Sequence, residues 1–159
     1  MRVIDSSSLL HGWDDYPLSN FPGLWEWMAS EISQKSILVP QIVIGEVERI
    51  CEECALWVKG VNGFSAVEID GSIVSEAIAI VSWLGVENDQ FGSGVGSNDI
   101  LIIATAKSLG CPLISNEAKQ PILPANRKSY KMPAVCSASI VLVDCINFAD
   151  LIKASGQAF

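Results

Sequence analysis

Two acidic residues each follow a short apolar run that has the length of a β-strand. Asp5 comes directly after residues 2–4, and Glu117 comes after residues 113–115, with only Asn116 between. In an open α/β sheet, ligands bind outside the carboxyl ends of the strands. A carboxylate at such a position needs water, a hydrogen bond or a cation. We therefore expect Asp5 to lie at the floor of a site and Glu117 to lie beside it.

Two more acidic residues fall on predicted helices. Glu46 stands between Ile42 and Ile50 at spacings i, i+4 and i+8, so it interrupts an apolar helix face. Asp99 shares a face with Ile102 and the apolar residues beyond it, which aims the carboxylate inward from the first turn. Taken singly, each has an ordinary explanation: Asp99 as an acid at a helix N-terminus and Glu46 as a partly exposed helix residue. The joint pattern favours a site.

Carboxylates that point to one place repel each other and lose hydration, at a cost of several kcal/mol unless a cation or a proton relieves them. The chain has a single histidine, His11, and a single C-x-x-C pair, Cys51 and Cys54. Zinc ligation and redox chemistry are therefore less favoured than an oxygen-only site, and we expect all cysteines to be reduced. Hard oxygen ligands favour Mg²⁺ or Mn²⁺.

Composition restricts the class of protein further. The chain has 159 residues, half of them hydrophobic, which predicts one domain with a substantial core. No export signal or membrane span is evident, so we expect a cytoplasmic protein with no membrane partner. The formal net charge of -8 disfavours broad attraction to nucleic acid, although divalent cations at a carboxylate site would cancel part of that charge.

The elements that would position these acids alternate regularly along the chain. We expect residues 12–20 to be turn-rich, residues 86–96 to form a flexible loop with a glycine hinge at residues 92–96, and residues 118–133 to form a long surface loop. Val135, residues 140–143 and residues 145–146 compete for the last strand. The other expected strands are 2–4, 37–39, 66–69 and 113–115. The expected helices are 22–34, 41–59 (continuous or with one break), 71–84, 99–109 and 148–154. This order predicts a three-layer α/β/α sandwich with a mostly parallel sheet of four or five strands.

With this order of elements and acids, the sequence resembles PIN domains. The resemblance spans nearly the whole chain and is carried by strand-Asp5-Ser6-Ser7, helical Glu46, Asn98-Asp99 with the following Ile-Ile-Ala-Thr-Ala, and strand-Ser115-Asn116-Glu117. Residues 21–27, 135–136 and 145–147 are similar to a bacterial PIN-like subfamily of unassigned activity. The resemblance implies a single PIN-like domain over residues 1–159. Many PIN domains are metal-dependent ribonucleases, including the VapC-type toxins of toxin–antitoxin pairs.

The resemblance also implies roles for individual residues. Four carboxylates would hold Mg²⁺ or Mn²⁺ and carry out catalysis: Asp5, Glu46, Asp99 and Glu117. Glu117 takes the place of the usual aspartate and is longer by one methylene, so a one-metal site stays open beside a two-metal site. Ser7 and Asn116 match positions that orient ligands or water.

The implied substrate is RNA, and the implied partners are an antitoxin protein or a second copy of the chain. The basic run near the C-terminal end offers candidate substrate-binding residues, namely Arg127, Lys128, Tyr130 and Lys131, with a solvated loop as the ordinary alternative. Two other functions stay open. One is a PIN-like binding module with weak or no catalysis. The other is a receiver-like phosphoacceptor domain, although such domains use paired acids where Ser6 follows Asp5.

Overall fold

The computed structural model describes residues 1–159 and centres on a parallel sheet of four strands. The strands are β1 (Arg2–Ile4), β2 (Ile37–Leu38), β3 (Leu113–Ile114) and β4 (Cys145–Ile146). Val3 pairs with Leu38 on one side and with Leu113 on the other, so β1 is central in the order β2-β1-β3-β4. The short, wholly apolar strands are typical of a sheet covered on both faces.

Eight α-helices complete the three-layer α/β/α sandwich that the sequence predicts. They are α1 (Ser6–Asp15), α2 (Pro22–Ser33), α3 (Gln41–Ile50), α4 (Glu52–Gly60), α5 (Gly71–Leu84), α6 (Ser97–Ser108), α7 (Met132–Cys136) and α8 (Phe148–Ser155). A single cluster of 37 buried hydrophobic residues joins helices and sheet, and Ile4 and Ile114 are fully buried at its centre. None of the helices combines the length and apolar composition that a membrane span requires.

Helix α1 shows that the prediction of a turn-rich segment at residues 12–20 was wrong for its first part. Leu9 is fully buried on the inner face of α1, and Gly12 is buried one turn later. A Cβ atom at Gly12 would lie 2.7 Å from the ring of Phe148, so glycine allows α1 to approach α8 closely. This packing outweighs the modest helix propensity of the serines that begin the helix.

The expected strand at residues 66–69 is also wrong. Val67 forms one isolated parallel bridge to Pro40, in which its N–H donates to Val39 O and its carbonyl accepts from Gln41 N, both at 3.0 Å. Helix α3 begins at Gln41, so the neighbouring backbone turns away and no ladder can extend. The sheet therefore has four strands.

Three predicted helix boundaries are confirmed. The long helix after β2 does break, at Cys51, where an extended backbone separates α3 from α4. Asp70 caps α5 by accepting hydrogen bonds from the N–H groups of Ser72 and Ile73, each at 2.9 Å. Gly85 ends the same helix in the left-handed conformation with φ of 72°, which glycine adopts without strain.

The glycine-rich segment at residues 92–96 is not the free hinge that the sequence indicated. Gly94 N donates to Lys128 O at 3.0 Å, and Val95 N donates to Tyr130 O at 2.9 Å. A Cβ atom at Gly94 would collide with the Tyr130 carbonyl oxygen. The glycine therefore permits close backbone contact between two segments that are distant in sequence.

The segment from residue 118 to residue 133 is mostly irregular, as expected, with one 3₁₀ turn at Arg127–Ser129. It leads into α7, so Val135 is helical. Of the three candidates for the last strand, Cys145–Ile146 is the one that pairs with β3.

All five cysteines are free thiols, as expected. Cys54 is fully buried in α4, and this burial raises the pKa of its thiol to about 12. The thiol is therefore protonated at neutral pH in the metal-free protein.

Candidate functional site

The site lies where β1 and β3 end, side by side. The pairing of Ile4 with Ile114 places the next residues of both strands at one edge of the sheet. Asp5 N donates to Ile114 O at 2.9 Å, which fixes the Asp5 backbone against β3. Asp5 and the segment from Ser115 to Glu117 are thereby held next to each other by backbone hydrogen bonds alone.

Asp5 is the buried centre of the site, with only 2% of its surface exposed. Its carboxylate accepts hydrogen bonds from Ser7 Oγ, from Ser115 Oγ at 3.1 Å and from Ser6 Oγ at 3.3 Å. Burial raises the pKa of Asp5 and the negative charge of Glu117 adds to the rise, while the serine hydroxyls lower it. The hydroxyls therefore compensate only part of the cost of placing a carboxylate in the core.

Glu46 reaches the site from α3 and is held by two donors. Ser6 Oγ donates to its Oε2 and Asn98 Nδ2 donates to its Oε1, both at 2.7 Å. Ile42 is half-buried and Ile50 is 71% exposed, so Glu46 lies at the border of the apolar face of α3 and does not interrupt its centre. The sequence placed Glu46 correctly on the helix but predicted too wide an apolar face.

Asp99 enters from the first turn of α6. Its Oδ2 accepts a hydrogen bond from Gly96 N at 2.7 Å, so it caps the helix and points inward at once. Burial raises the pKa of Asp99 to about 6. The Gly96 N–H opposes this rise, and the charges of Glu117, Asp5 and Glu46 add to it. Asp99 is therefore an acid at a helix N-terminus, as one interpretation predicted, and its role as a ligand in the site stays a prediction.

Glu117 is half-buried and faces α7. Its Oε2 accepts a hydrogen bond from Met132 N at 2.8 Å, which satisfies one of the free N–H groups at the start of that helix. The extra methylene of Glu117 thus has a contact of its own. The charge of Glu117 still acts on both Asp5 and Asp99, so it belongs to the same electrostatic cluster.

Ser7 and Asn116 connect the acidic centre to the surrounding helices. Ser7 Oγ accepts a hydrogen bond from Asn116 N at 3.1 Å while it donates to Asp5. Asn116 Oδ1 accepts from Ser8 Oγ at 3.0 Å and from Phe148 N at 2.8 Å. Asn116 therefore ties the end of β3 to α1 and α8.

Sequence reasoning missed three side chains of this network: Ser6, Asn98 and Ser115 contact the acids directly but were noted only as parts of motifs. Their one available signal was position, since each stands beside an acid or two residues from one. Hydroxyl and amide side chains are frequent at strand ends and helix starts for local reasons, and this frequency hides a role in a site.

The four carboxylates converge without touching. The charges of the other three raise the pKa of Asp99, yet no group of three His, Cys, Asp or Glu side chains is close enough to hold one ion directly. Every hydrogen bond that they accept comes from a hydroxyl, an amide or a backbone N–H. A cavity of about 390 Å³ opens beside them, lined by Ser6, Glu46, Arg49, Ile50 and Asp99.

The basic run is partly committed to other contacts. The guanidinium of Arg127 lies 4.7 Å from the centre of the Trp83 ring, and its Nη1 donates to Trp83 O at 3.1 Å. Tyr130 packs edge-on against Trp83 as well. Lys128 is half-buried, whereas Lys131 is exposed and directly precedes the residue whose N–H binds Glu117.

Fold and site together define an α/β protein with a carboxylate cluster at the carboxyl edge of a parallel sheet. The chain belongs to the family described as "Domain of unknown function (DUF4411)", whose model matches residues 3–159. No curated protein matches the chain.

A solved structure, the crystal structure of VapBC2 from Rickettsia felis bound to a DNA fragment from their promoter, is similar in fold. The TM-score is 0.56 at 13% sequence identity, and the match covers 92% of this chain and 97% of that chain. At this identity the likeness concerns the fold alone, and it agrees with the three-layer PIN-like architecture.

Proposed function

We propose that the protein is a divalent-metal-dependent endoribonuclease with a single PIN-like domain over residues 1–159. One observation carries this proposal: four carboxylates from separate elements, one of them the buried Asp5, gather at one edge of the sheet. Burial, together with the charges of the other three, raises the pKa of Asp99 to about 6. Such mutual repulsion is costly in a folded protein unless a cation offsets it. The similarity in fold to VapBC2 supports a nuclease-like hydrolase.

The donor set fits Mg²⁺ or Mn²⁺. All candidate ligands are carboxylate oxygens, which hard cations prefer, and serine hydroxyls lie among them. Gly96 N–H occupies only Oδ2 of Asp99, so the other oxygen can bind a cation. Glu46 accepts a hydrogen bond from Asn98, and Glu117 accepts one from Met132 N. Each carboxylate would lose that hydrogen bond when it binds a cation with the same oxygen.

Different residues of the chain would have different roles in phosphodiester hydrolysis. When bound, the cation lowers the pKa of an attacking water and stabilises the charge that develops on the phosphate. Asp5, Glu46 and Asp99 would hold the cation in part through water molecules that it retains, because no three acids lie close enough to bind one ion directly. Ser7 would keep the Asp5 carboxylate oriented through its hydrogen bond. A carboxylate oxygen of the cluster accepts the proton from water.

Partners follow from the same proposal. VapBC2 is a toxin–antitoxin complex, so an antitoxin protein is the partner that the likeness favours, and a homodimer is the other. The RNA strand would be held by the segment from Arg127 to Lys131. Of its residues, Lys131 is exposed and directly precedes the residue that binds Glu117, whereas Arg127 is engaged with Trp83.

A second candidate function is a PIN-like binding module with weak or no catalysis. The specific observation in its favour is that Glu117 stands where an aspartate is usual, and that one of its oxygens accepts a hydrogen bond from the first N–H of α7. A carboxylate fixed in this way stabilises the fold even if it holds no cation. Metal binding separates the two functions.

The test uses the full chain with labelled single-stranded RNA. The parent should cleave RNA with Mg²⁺ or Mn²⁺ and stop when a chelator is added. Asp5→Asn and Asp99→Asn should abolish cleavage while circular dichroism shows a folded chain. Asp14→Asn, which removes the same charge from an exposed position at the far end of α1, is the matched control and should cleave normally.

Two results would contradict the proposal. If Asp5→Asn and Asp99→Asn cut as well as the parent, the assigned site is wrong. If the parent neither cuts RNA nor gains thermal stability with Mg²⁺ or Mn²⁺, the binding-module alternative replaces the nuclease. If Asp5→Asn fails to fold, the cleavage activity of Asp99→Asn alone tests the assigned site. Asp99→Asn should fold, because an asparagine amide oxygen can still accept the hydrogen bond from Gly96 N.

A further inference from the structure

A single arginine borders the cavity beside the carboxylates. Arg49 lies three residues after Glu46 on α3, and residues at this spacing occupy the same side of a helix. The two side chains line one cavity of about 390 Å³ together with Ser6, Ile50 and Asp99. Arg49 is the one basic residue among these five.

The guanidinium of Arg49 has most of its donors available. Its Nε donates to Gly45 O, four residues earlier in the same helix, at 3.2 Å, and the side chain is exposed. The ion pairs within the chain involve other residues, namely His11–Asp15, Lys59–Glu48, Lys107–Glu76 and Lys153–Asp150. Arg49 therefore lines the acidic cavity without neutralising Glu46 or Asp99, and its two terminal nitrogens face no carboxylate of the chain within ion-pair distance.

An anionic strand that approaches this site meets strong repulsion. The chain carries a net charge of -8, and four of its acids, Asp5 among them, form the carboxylate cluster. A guanidinium at the rim of the cavity offers two parallel N–H donors that match the oxygens of a phosphate. Ile50, which is 71% exposed beside it, adds an apolar surface of the kind that a sugar or base can contact.

We propose that Arg49 binds a backbone phosphate of the nucleic-acid strand at the rim of the carboxylate site. This inference rests on the proposed nuclease function, because it makes Arg49 the residue that positions the strand over the acids. Arg49 is separate from the basic run at residues 127–131, since it belongs to α3 and contacts the cavity of Glu46 and Asp99. It is a positioning residue for the strand.

The test measures binding as well as cleavage. A 5′-labelled single-stranded RNA is titrated with the Asp99→Asn protein in Mg²⁺ at several salt concentrations, and fluorescence anisotropy gives the dissociation constant. The double variant Asp99→Asn, Arg49→Gln should bind the RNA about tenfold more weakly than Asp99→Asn alone, as for the loss of a charged hydrogen bond. The slope of log K against log salt should fall by about 0.7, as for one phosphate contact to a single strand. Arg49→Lys should keep the slope but recover only part of the affinity.

Lys153→Gln is the matched control. It removes one exposed cation from the last turn of α8, where Lys153 pairs with Asp150 and not with a carboxylate of the site. The control should leave both the affinity and the salt slope unchanged. In the otherwise unmodified chain, Arg49→Gln should raise KM for RNA with a much smaller change in kcat, whereas Lys153→Gln should change neither.

The outcomes separate this inference from the proposed function. If the parent cleaves RNA and Arg49→Gln changes neither the salt slope nor KM, the inference is wrong and the nuclease stands. If the parent binds RNA but never cleaves it, the nuclease is wrong, and the salt slope still decides the role of Arg49. If Arg49→Gln weakens binding of an acidic protein partner and not of RNA, the guanidinium serves a protein interface and the inference is overturned.

Discussion

Asp99→Asn should stabilise the metal-free protein at neutral pH, although it removes a residue of the site. Burial and neighbouring charges raise the pKa of Asp99 from 3.8 to about 6. A raised carboxyl pKa means that the folded state holds the proton more tightly than the unfolded chain. The corresponding stability is fully present below pH 3.8 and is lost as the pH rises through about 6. At pH 7.5 the folded protein therefore bears the whole cost of the charge.

The size of the effect follows from the pKa difference. A shift of about two units corresponds to about 3 kcal/mol at about 1.4 kcal/mol per unit. Asp99 is only half-buried, and solvent screening reduces the cost to about 1–2 kcal/mol. Asparagine keeps an acceptor for Gly96 N but loses about 0.5 kcal/mol of favourable charge at the N-terminus of α6. The net gain should be about 1 kcal/mol.

Urea unfolding in chelator measures this gain. The free energy of unfolding of Asp99→Asn should exceed that of the parent at pH 7.5, and the difference should vanish or reverse at pH 4, where Asp99 is protonated in the folded state. Asp14→Asn, on exposed helix surface, should show no such pH-dependent gain. If Asp99→Asn is destabilised equally at both pH values, the carboxylate is not strained by its neighbours and the electrostatic reasoning about the site fails.

Three further outcomes are expected. Saturating Mg²⁺ should raise the melting temperature of the parent by several degrees and that of Asp5→Asn much less, as differential scanning fluorimetry can show. Gly94→Ala should cost about 2 kcal/mol or more in urea unfolding, because its Cβ would collide with the backbone of Tyr130 and separate two packed segments. Glu117→Gln should keep the hydrogen bond from Met132 N and nearly full stability, whereas Glu117→Ala should lose about 1–3 kcal/mol in the same assay.

The sequence predicted the fold where one local signal dominated. Apolar runs ending in polar residues predicted β1 and β3, and Asp70 and Gly85 marked both ends of α5. The errors arose where a distant contact decided the outcome. Helix α1 depends on Phe148, more than a hundred residues away, and no local pattern reveals that contact.

In the candidate site, too, local signals could be predicted from the sequence and distant contacts could not. Asp5 and Glu117 could be placed side by side from the order of strands, because parallel strands present their carboxyl ends at one edge. Glu46 and Asp99 could be placed on helices, but not brought together, since their separation depends on how α3 and α6 pack. Asn98 is the residue that joins them: it precedes Asp99 on α6 and donates to Glu46 on α3.

The two halves of the site consequently differ in what fixes them. On the sheet side, backbone hydrogen bonds between β1 and β3 hold Asp5 against Ser115, so side-chain substitutions there leave the frame intact. On the helix side, Glu46 keeps its position through Ser6 and Asn98, two side chains that the proposed cation would partly displace. Because hydroxyl and amide donors are neutral, they hold the carboxylate without cancelling its charge. We therefore expect the helix side to change more than the sheet side when a ligand binds.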